Sequence, residues 1–182
     1  MPHVTIPSEL PPGVPGLMQY RPETGRPLSS LAEVLLRTPQ TLTPSERELI
    51  AARVSSLNEC RFCFNTHTEV SAQQHPDGRA WVDKAIADPD SAPISAKMKA
   101  LLTIATAVQG SGRDVTEEMV ASARGAGATD TEIHDAVLIA AAFCMFNRYC
   151  DGMAAMTPQD PAAYVHMAQH IIQEGYSTCA TG

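Results

Sequence analysis

The sequence predicts an all-α protein. Apolar residues recur at helical spacing along most of the chain, two capping boxes mark helix starts, and no segment shows the polar–apolar alternation of a half-buried strand. The pattern gives about seven or eight helices packed as a bundle in one domain over residues 27–176, with an extended Pro-rich N-terminal arm over 1–26 and a short tail over 177–182.

The arm holds Pro2, Pro7, Pro11, Pro12, Pro15 and Pro22 with little periodicity, as expected of an extended segment. The clearest helix start is Thr43-Pro44-Ser45-Glu46, where Thr43 caps, Pro44 takes the first helical position and Glu46 completes the box. Ile50, Val54 and Leu57 follow on one face, and Asn58 ends the helix. A second helix is predicted from Asn58-Glu59 through His67 to about Gln74, with Asn58 as its cap and Cys60 in its first turn. Further helices are predicted around Trp81 (residues 77–87), over 95–108, over 116–124 with a Gly-rich stop, and from the Thr129–Glu132 capping box onward. The last spans about 161–174.

Composition excludes several functions. With 182 residues, 44 % hydrophobic and 18 % charged, the chain can build a core. A net charge of −7 and only 13 basic residues leave no footprint for nucleic acid or an anionic membrane. The near-apolar run Ala136–Phe146 is too short to span a bilayer, and the N-terminus lacks a basic stretch followed by an apolar one, so a cytoplasmic location is expected. Five unevenly spread cysteines do not make a disulfide scaffold. Cys144 reads as a small buried hydrophobe and Cys179 as incidental in a polar tail; Cys150 receives no role.

The chemistry concentrates in SSLNECRFCFNTHTEV, residues 55–70. Haem attachment fails because Phe64, not histidine, follows the second cysteine. Zinc could use Cys60, Cys63 and His67, but a structural site closes with four ligands and His75 is only the nearest spare imidazole. No metal and no cofactor are therefore expected. A dithiol cycling through a disulfide fits better, since cysteines three apart at a helix start can bridge and a helix N-terminus stabilises a thiolate. Cys63 and His67, four apart, share a helix face and pair a thiol with a base. If the two helices form an antiparallel hairpin turning near Asn58, facing residues have numbers summing to roughly 117, on the short-loop geometry of such hairpins. That register brings Glu48 opposite the His67 turn, as a carboxylate polarising the imidazole. Asn147, Arg148 and Tyr149 read as closing a helix and an oligomer contact rather than as lining a site, the alternative for this stretch.

Glu48 followed by Cys60-Arg61-Phe62-Cys63-Phe64-Asn65-Thr66-His67 resembles the signature of the AhpD-like alkylhydroperoxidases of the carboxymuconolactone decarboxylase superfamily. The stretches TPSERELIAARVSSLNECRFC and GAGATDTEIHDAVLIAAAFCMFNRYCDGM extend the likeness over roughly residues 28–155, and Phe146-Asn147-Arg148 is similar to the uncharacterised peroxidase-related branch. The resemblance implies an all-helical trimer or hexamer that reduces peroxides through the cysteine pair, with Glu48 and His67 as proton relay. In the best-known members of the family that the chain resembles, a second histidine precedes the second cysteine; this chain has Phe62 there, which conducts no proton. Decarboxylase members lack the cysteine pair, so that activity is not expected. The reading is a thiol-dependent peroxidase with catalytic residues Cys60, Cys63, His67 and Glu48. Its partners are a peroxide and an external dithiol, with neither nucleic acid nor membrane involved. Cys63 is favoured as the attacking thiol and Cys60 as the more exposed exchanger. A general disulfide oxidoreductase, a redox sensor and a structural zinc site are the alternatives; the natural peroxide and donor are not legible.

Overall fold

At the centre lies an antiparallel hairpin of two helices, and its register is set by two serines. In this computed structural model, residues 2–180 are described. They form α1 (Gly13–Tyr20), α2 (Pro22–Leu36), α3 (Pro44–Leu57), α4 (Arg61–Gln73), α5 (Gly78–Ala87), α6 (Ala96–Gly110), α7 (Glu117–Gly125), α8 (Asp130–Gly152) and α9 (Pro161–Glu174). Two short 3-10 turns, Gly112–Asp114 and Ser177–Ala180, complete the set, and no strand occurs among the described residues.

Ser45 Oγ donates to Ser71 O at 2.9 Å, and Ser71 Oγ donates back to Ser45 O at 2.9 Å. This reciprocal clasp, fully buried, fixes how far α3 slides along α4. Ala51, Ala52 and Ser55 are fully enclosed and let neighbouring helices approach closely. α3 is buried almost all round, with α4, α6 and α8 against it, so its polar residues Arg47 and Glu48 are interior ones. Arg47 meets its burial partly through Nη1, which donates to Leu35 O at 3.1 Å and ties α3 to α2.

Both capping boxes form. Thr43 and Glu46 exchange bonds of 3.2 and 2.9 Å at the head of α3, and Thr129 and Glu132 do so at 3.2 and 2.8 Å at the head of α8. α8 then runs 23 residues, about 34 Å at 1.5 Å per residue, along the whole bundle. Leu49, Ile50, Val54, Leu101, Ile104, Ile139 and Phe143 fill the space between α3, α6 and α8. No helix among the described residues is long and apolar enough to cross a membrane.

The arm differs from its expected course. It is free of helix only up to Pro12; α1 and the first residues of α2 occupy Gly13–Arg26. Prolines hid this. Pro15 and Pro22 lie in first turns, where no N–H is missed, while Val14, Leu17 and Met18 make a small buried face. Gly13, at φ 69°, lies so close to the Phe62 ring that a Cβ there would stand 2.1 Å from it. The tail differs too: residues 177–180 form a 3-10 turn against α1 and α2, whereas 181 and 182 lie outside the described residues.

Candidate active site

The turn between α3 and α4 does not run as the sequence predicted. Asn58 is the C-cap of α3, Glu59 takes a left-handed φ of 58°, and Cys60 itself becomes the N-cap of α4. Cys63 therefore sits at the third helical position. Asn58 is engaged elsewhere: its Nδ2 donates to Asn147 Oδ1 at 2.9 Å, and its Oδ1 accepts from Gln109 Nε2 at 2.9 Å. Asn147 Nδ2 donates in turn to Ser55 Oγ at 3.1 Å. Asn147 is thus a buried strut holding the dithiol turn onto α8, not an oligomer contact.

Two turns along the clasped hairpin, Glu48 meets His67. Glu48 Oε2 lies 2.7 Å from His67 Nδ1, with the carboxylate 1 % and the histidine 8 % exposed. A carboxylate acceptor places the ring proton on Nδ1 and leaves the lone pair on Nε2. Phe143 fixes the ring edge-on, with centroids 4.5 Å apart.

The C-terminal segment adds a residue that no local pattern singles out. Tyr176 Oη donates to Glu48 Oε1 at 2.7 Å and lies 3.3 Å from His67 Nδ1. Burial, then the Glu48 charge, raises its phenol well above the usual tyrosine range. It is a neutral donor that holds the carboxylate from its far side. Gly175, at φ 83°, makes the turn that delivers it, and Tyr176 N donates to Glu33 Oε2 at 2.6 Å. The Ser29 hydroxyl donates to the Tyr176 carbonyl.

Cys60 and Cys63 come together, and Cys150 of α8 joins them. The three sulfurs lie within 4.8 Å of one another. All are buried: Cys60 is 0 %, Cys63 2 % and Cys150 2 % exposed. Cys60 is therefore not the more exposed thiol of the pair, because the turn that makes it an N-cap also folds it under α8. Neighbouring Cys150 and then Cys63, with the Cys63 N–H assisting, hold the Cys60 thiol far below the usual thiol range. Cys63 is raised well above that range by Cys150, Cys60 and burial, and Cys150 is raised chiefly by Cys60. The thiolate charge of the cluster is thus drawn toward Cys60. Asp151, beside this charge, has its carboxyl pushed up to about 7 by burial and by Cys60.

Cys63 and His67 do not hydrogen-bond to each other among the described residues. Instead both line a narrow cavity of about 50 Å³. Its walls are Val14, Met18, Phe62, Phe146, Met167 and Tyr176, among others. Phe62 thus faces the space beside Cys63 and His67. Cys179, expected to be incidental, reaches the rim. His75 is excluded from this site: its ring stacks on Trp81 at 3.8 Å and its Nδ1 accepts from Asp77 N.

Residues 22–77 and 78–158 each match the family model described as Carboxymuconolactone decarboxylase family. The chain belongs to that family. No curated protein matches it by sequence. Among solved structures, the family's helical fold recurs in an uncharacterized peroxidase-related protein from Silicibacter sp. TM1040, 22 % identical, with a TM-score of 0.79 over 90 % of this chain and 94 % of that one. An alkylhydroperoxidase AhpD core, an uncharacterized peroxidase-related protein from Ralstonia eutropha JMP134, is 23 % identical with a TM-score of 0.75, over 86 % and 81 % of the two chains. The debrominase Bmp8, in its apo form, is 19 % identical with a TM-score of 0.68, over 86 % and 83 %. At these identities the likeness is one of fold.

Proposed function

We propose that this member of the family is a thiol-dependent peroxidase acting on organic hydroperoxides. The observation that supports it is a buried Glu48–His67 pair sharing one apolar cavity with Cys63, backed by Cys60. Cys63 is the attacking sulfur because it is the one on the cavity wall. Its proton passes to the Cys60 thiolate within 4.8 Å. The Cys63 thiolate then attacks the O–O bond, becoming a sulfenic acid and releasing an alkoxide. The Nε2 lone pair of His67, held through Nδ1, takes up a proton from solvent and passes it to the alkoxide, and Glu48 with Tyr176 steadies the charge that moves. Cys60 then attacks the sulfenic sulfur, giving the Cys60–Cys63 disulfide and water. A dithiol donor restores both thiols by exchange and becomes a disulfide itself.

The apolar walls, Phe62 included, favour alkyl or aryl hydroperoxides over hydrogen peroxide, since a small polar peroxide gains nothing from such burial. Exchange with large protein disulfides fits less well, because such a partner needs an exposed sulfur and neither cysteine offers one. We place the enzyme in the cytoplasm and in an oligomer; Leu138 and Met145, two turns apart on the outer face of α8, are 37 % and 42 % exposed and suit a subunit contact. The test is turnover of an organic hydroperoxide and of hydrogen peroxide with a panel of small dithiols. Faster turnover of the organic substrate, lost in Cys63→Ser, is expected. Absence of turnover with every donor would leave the dithiol a sensor.

A further inference from the structure

We propose that Cys60, Cys63 and Cys150 also form a binding site for one soft d10 cation, with copper(I) as the ion whose coordination they fit. The site shares Cys60 and Cys63 with the proposed peroxide chemistry, but binding of the ion does not depend on that chemistry. Three points carry it. First, the donor set is sulfur alone, and soft thiolates select copper(I) over harder ions. Second, the spacing is close to what an ion requires. An ion about 2.3 Å from each of three sulfurs in a plane sets them about 4 Å apart. Sulfurs already within 4.8 Å of one another reach this by small side-chain rotations. Third, no ring nitrogen or carboxylate oxygen among the described residues joins all three sulfurs within that distance. His67 is turned toward Glu48 through Nδ1. Zinc, which closes its structural sites with four ligands, lacks the fourth. Copper(I) is stable with three.

The sulfurs come from the start of α4 and the end of α8. Cys60 and Cys63 open α4, whose N-terminal N–H groups offset part of the charge of three thiolates. Cys150 closes α8, held in register with them by Asn147. Burial at 0–2 % exposure keeps water from the ion. Binding replaces thiol protons by the metal, releasing them to solvent, and changes no oxidation state. While the ion is bound, the Cys60–Cys63 disulfide cannot form, so the ion acts as an inhibitor that locks the dithiol reduced.

The test is an anaerobic titration of the fully reduced whole chain with copper(I) against a chromophoric copper(I) chelator. One tightly held ion per chain is expected. Cys150→Ser should weaken it by roughly a hundredfold or more through the loss of one of three metal–sulfur bonds. The Cys144→Ser, Cys179→Ser double variant should bind as the wild type does. Cys150→Ser binding with wild-type affinity would overturn the proposal, as would affinity that follows Cys144 and Cys179. Since Cys150 is buried and its variant could misfold, X-ray absorption on the copper-loaded wild type provides a second reading. Three sulfurs at one distance support the site and two overturn it. A parallel zinc titration should show weaker binding; zinc held more tightly than copper(I), and lost in Asp151→Asn, would also count against it.

Discussion

A hydrogen bond from His67 Nδ1–H to the Glu48 carboxylate, which Tyr176 braces from its far side, orients the ring and leaves Nε2 for proton transfer. Groups serving one proton path lose their effect together. His67→Ala should therefore slow peroxide reduction by about 100-fold, the usual scale of general acid–base catalysis. Glu48→Gln should do so less, and the double variant should be little worse than His67→Ala; effects that multiply in the double variant would separate the two residues. The cysteines carry a second prediction. Because Cys150 and Cys63 depress the Cys60 thiol, Cys60 is a thiolate at pH values where an ordinary thiol, near 8.5, is protonated. The ultraviolet thiolate absorbance of the reduced protein should persist as pH falls below about 6, and Cys150→Ser should move its loss upward toward the ordinary value. The meeting of Glu48 with His67 and the closeness of Cys60 and Cys63 are legible because hairpin register and three-residue spacing are local rules. Cys150 and Tyr176 are not: nothing local links them to the dithiol, and only packing brings them there.

At the scale of elements, the α3–α4 hairpin is what positions the chemistry, and three buried polar contacts set it. The Ser45–Ser71 clasp fixes the slide, Asn147 pins the turn to α8, and the Tyr176 segment closes over the far side. Asn147→Ala leaves Ser55 Oγ and Asn58 Nδ2 without this partner inside the protein. A loss of about 1–3 kcal/mol is expected, read as a lower denaturant midpoint with an unchanged slope. An unchanged midpoint would mean that water replaces the amide at no cost. The helix starts at Thr43 and Thr129 were readable because a capping box is a complete local device. The start of α4 was misread for the opposite reason. Asn58 has the chemistry of a cap, but its amide is drawn away by Gln109 and Asn147, and the positive φ of Glu59 moves the helix start to Cys60. α1 escaped detection because its small buried face lies among prolines whose first-turn placement is harmless.

For the whole molecule, a long α8 with exposed Leu138 and Met145 on its outer face leaves apolar surface that a second copy would cover. Sedimentation at micromolar concentration should give a species larger than the 19.5 kDa chain; a monomer would remove the subunit contact from the account. The all-helical class follows from periodicity alone, whereas the apolar cavity is a product of α1, α2, α4, α8, α9 and the C-terminal turn meeting. No single stretch announces it. The central claim is that Cys60 and Cys63 reduce a peroxide admitted by that cavity, and a single turnover tests it most directly. Reduced protein is mixed with one equivalent of an alkyl hydroperoxide, free thiols and alcohol are counted, and the disulfide is mapped by mass. The account predicts two thiols lost for each alcohol formed, with Cys60 bonded to Cys63. Alcohol formed without thiol loss, or disulfides confined to Cys144 and Cys179, would contradict it.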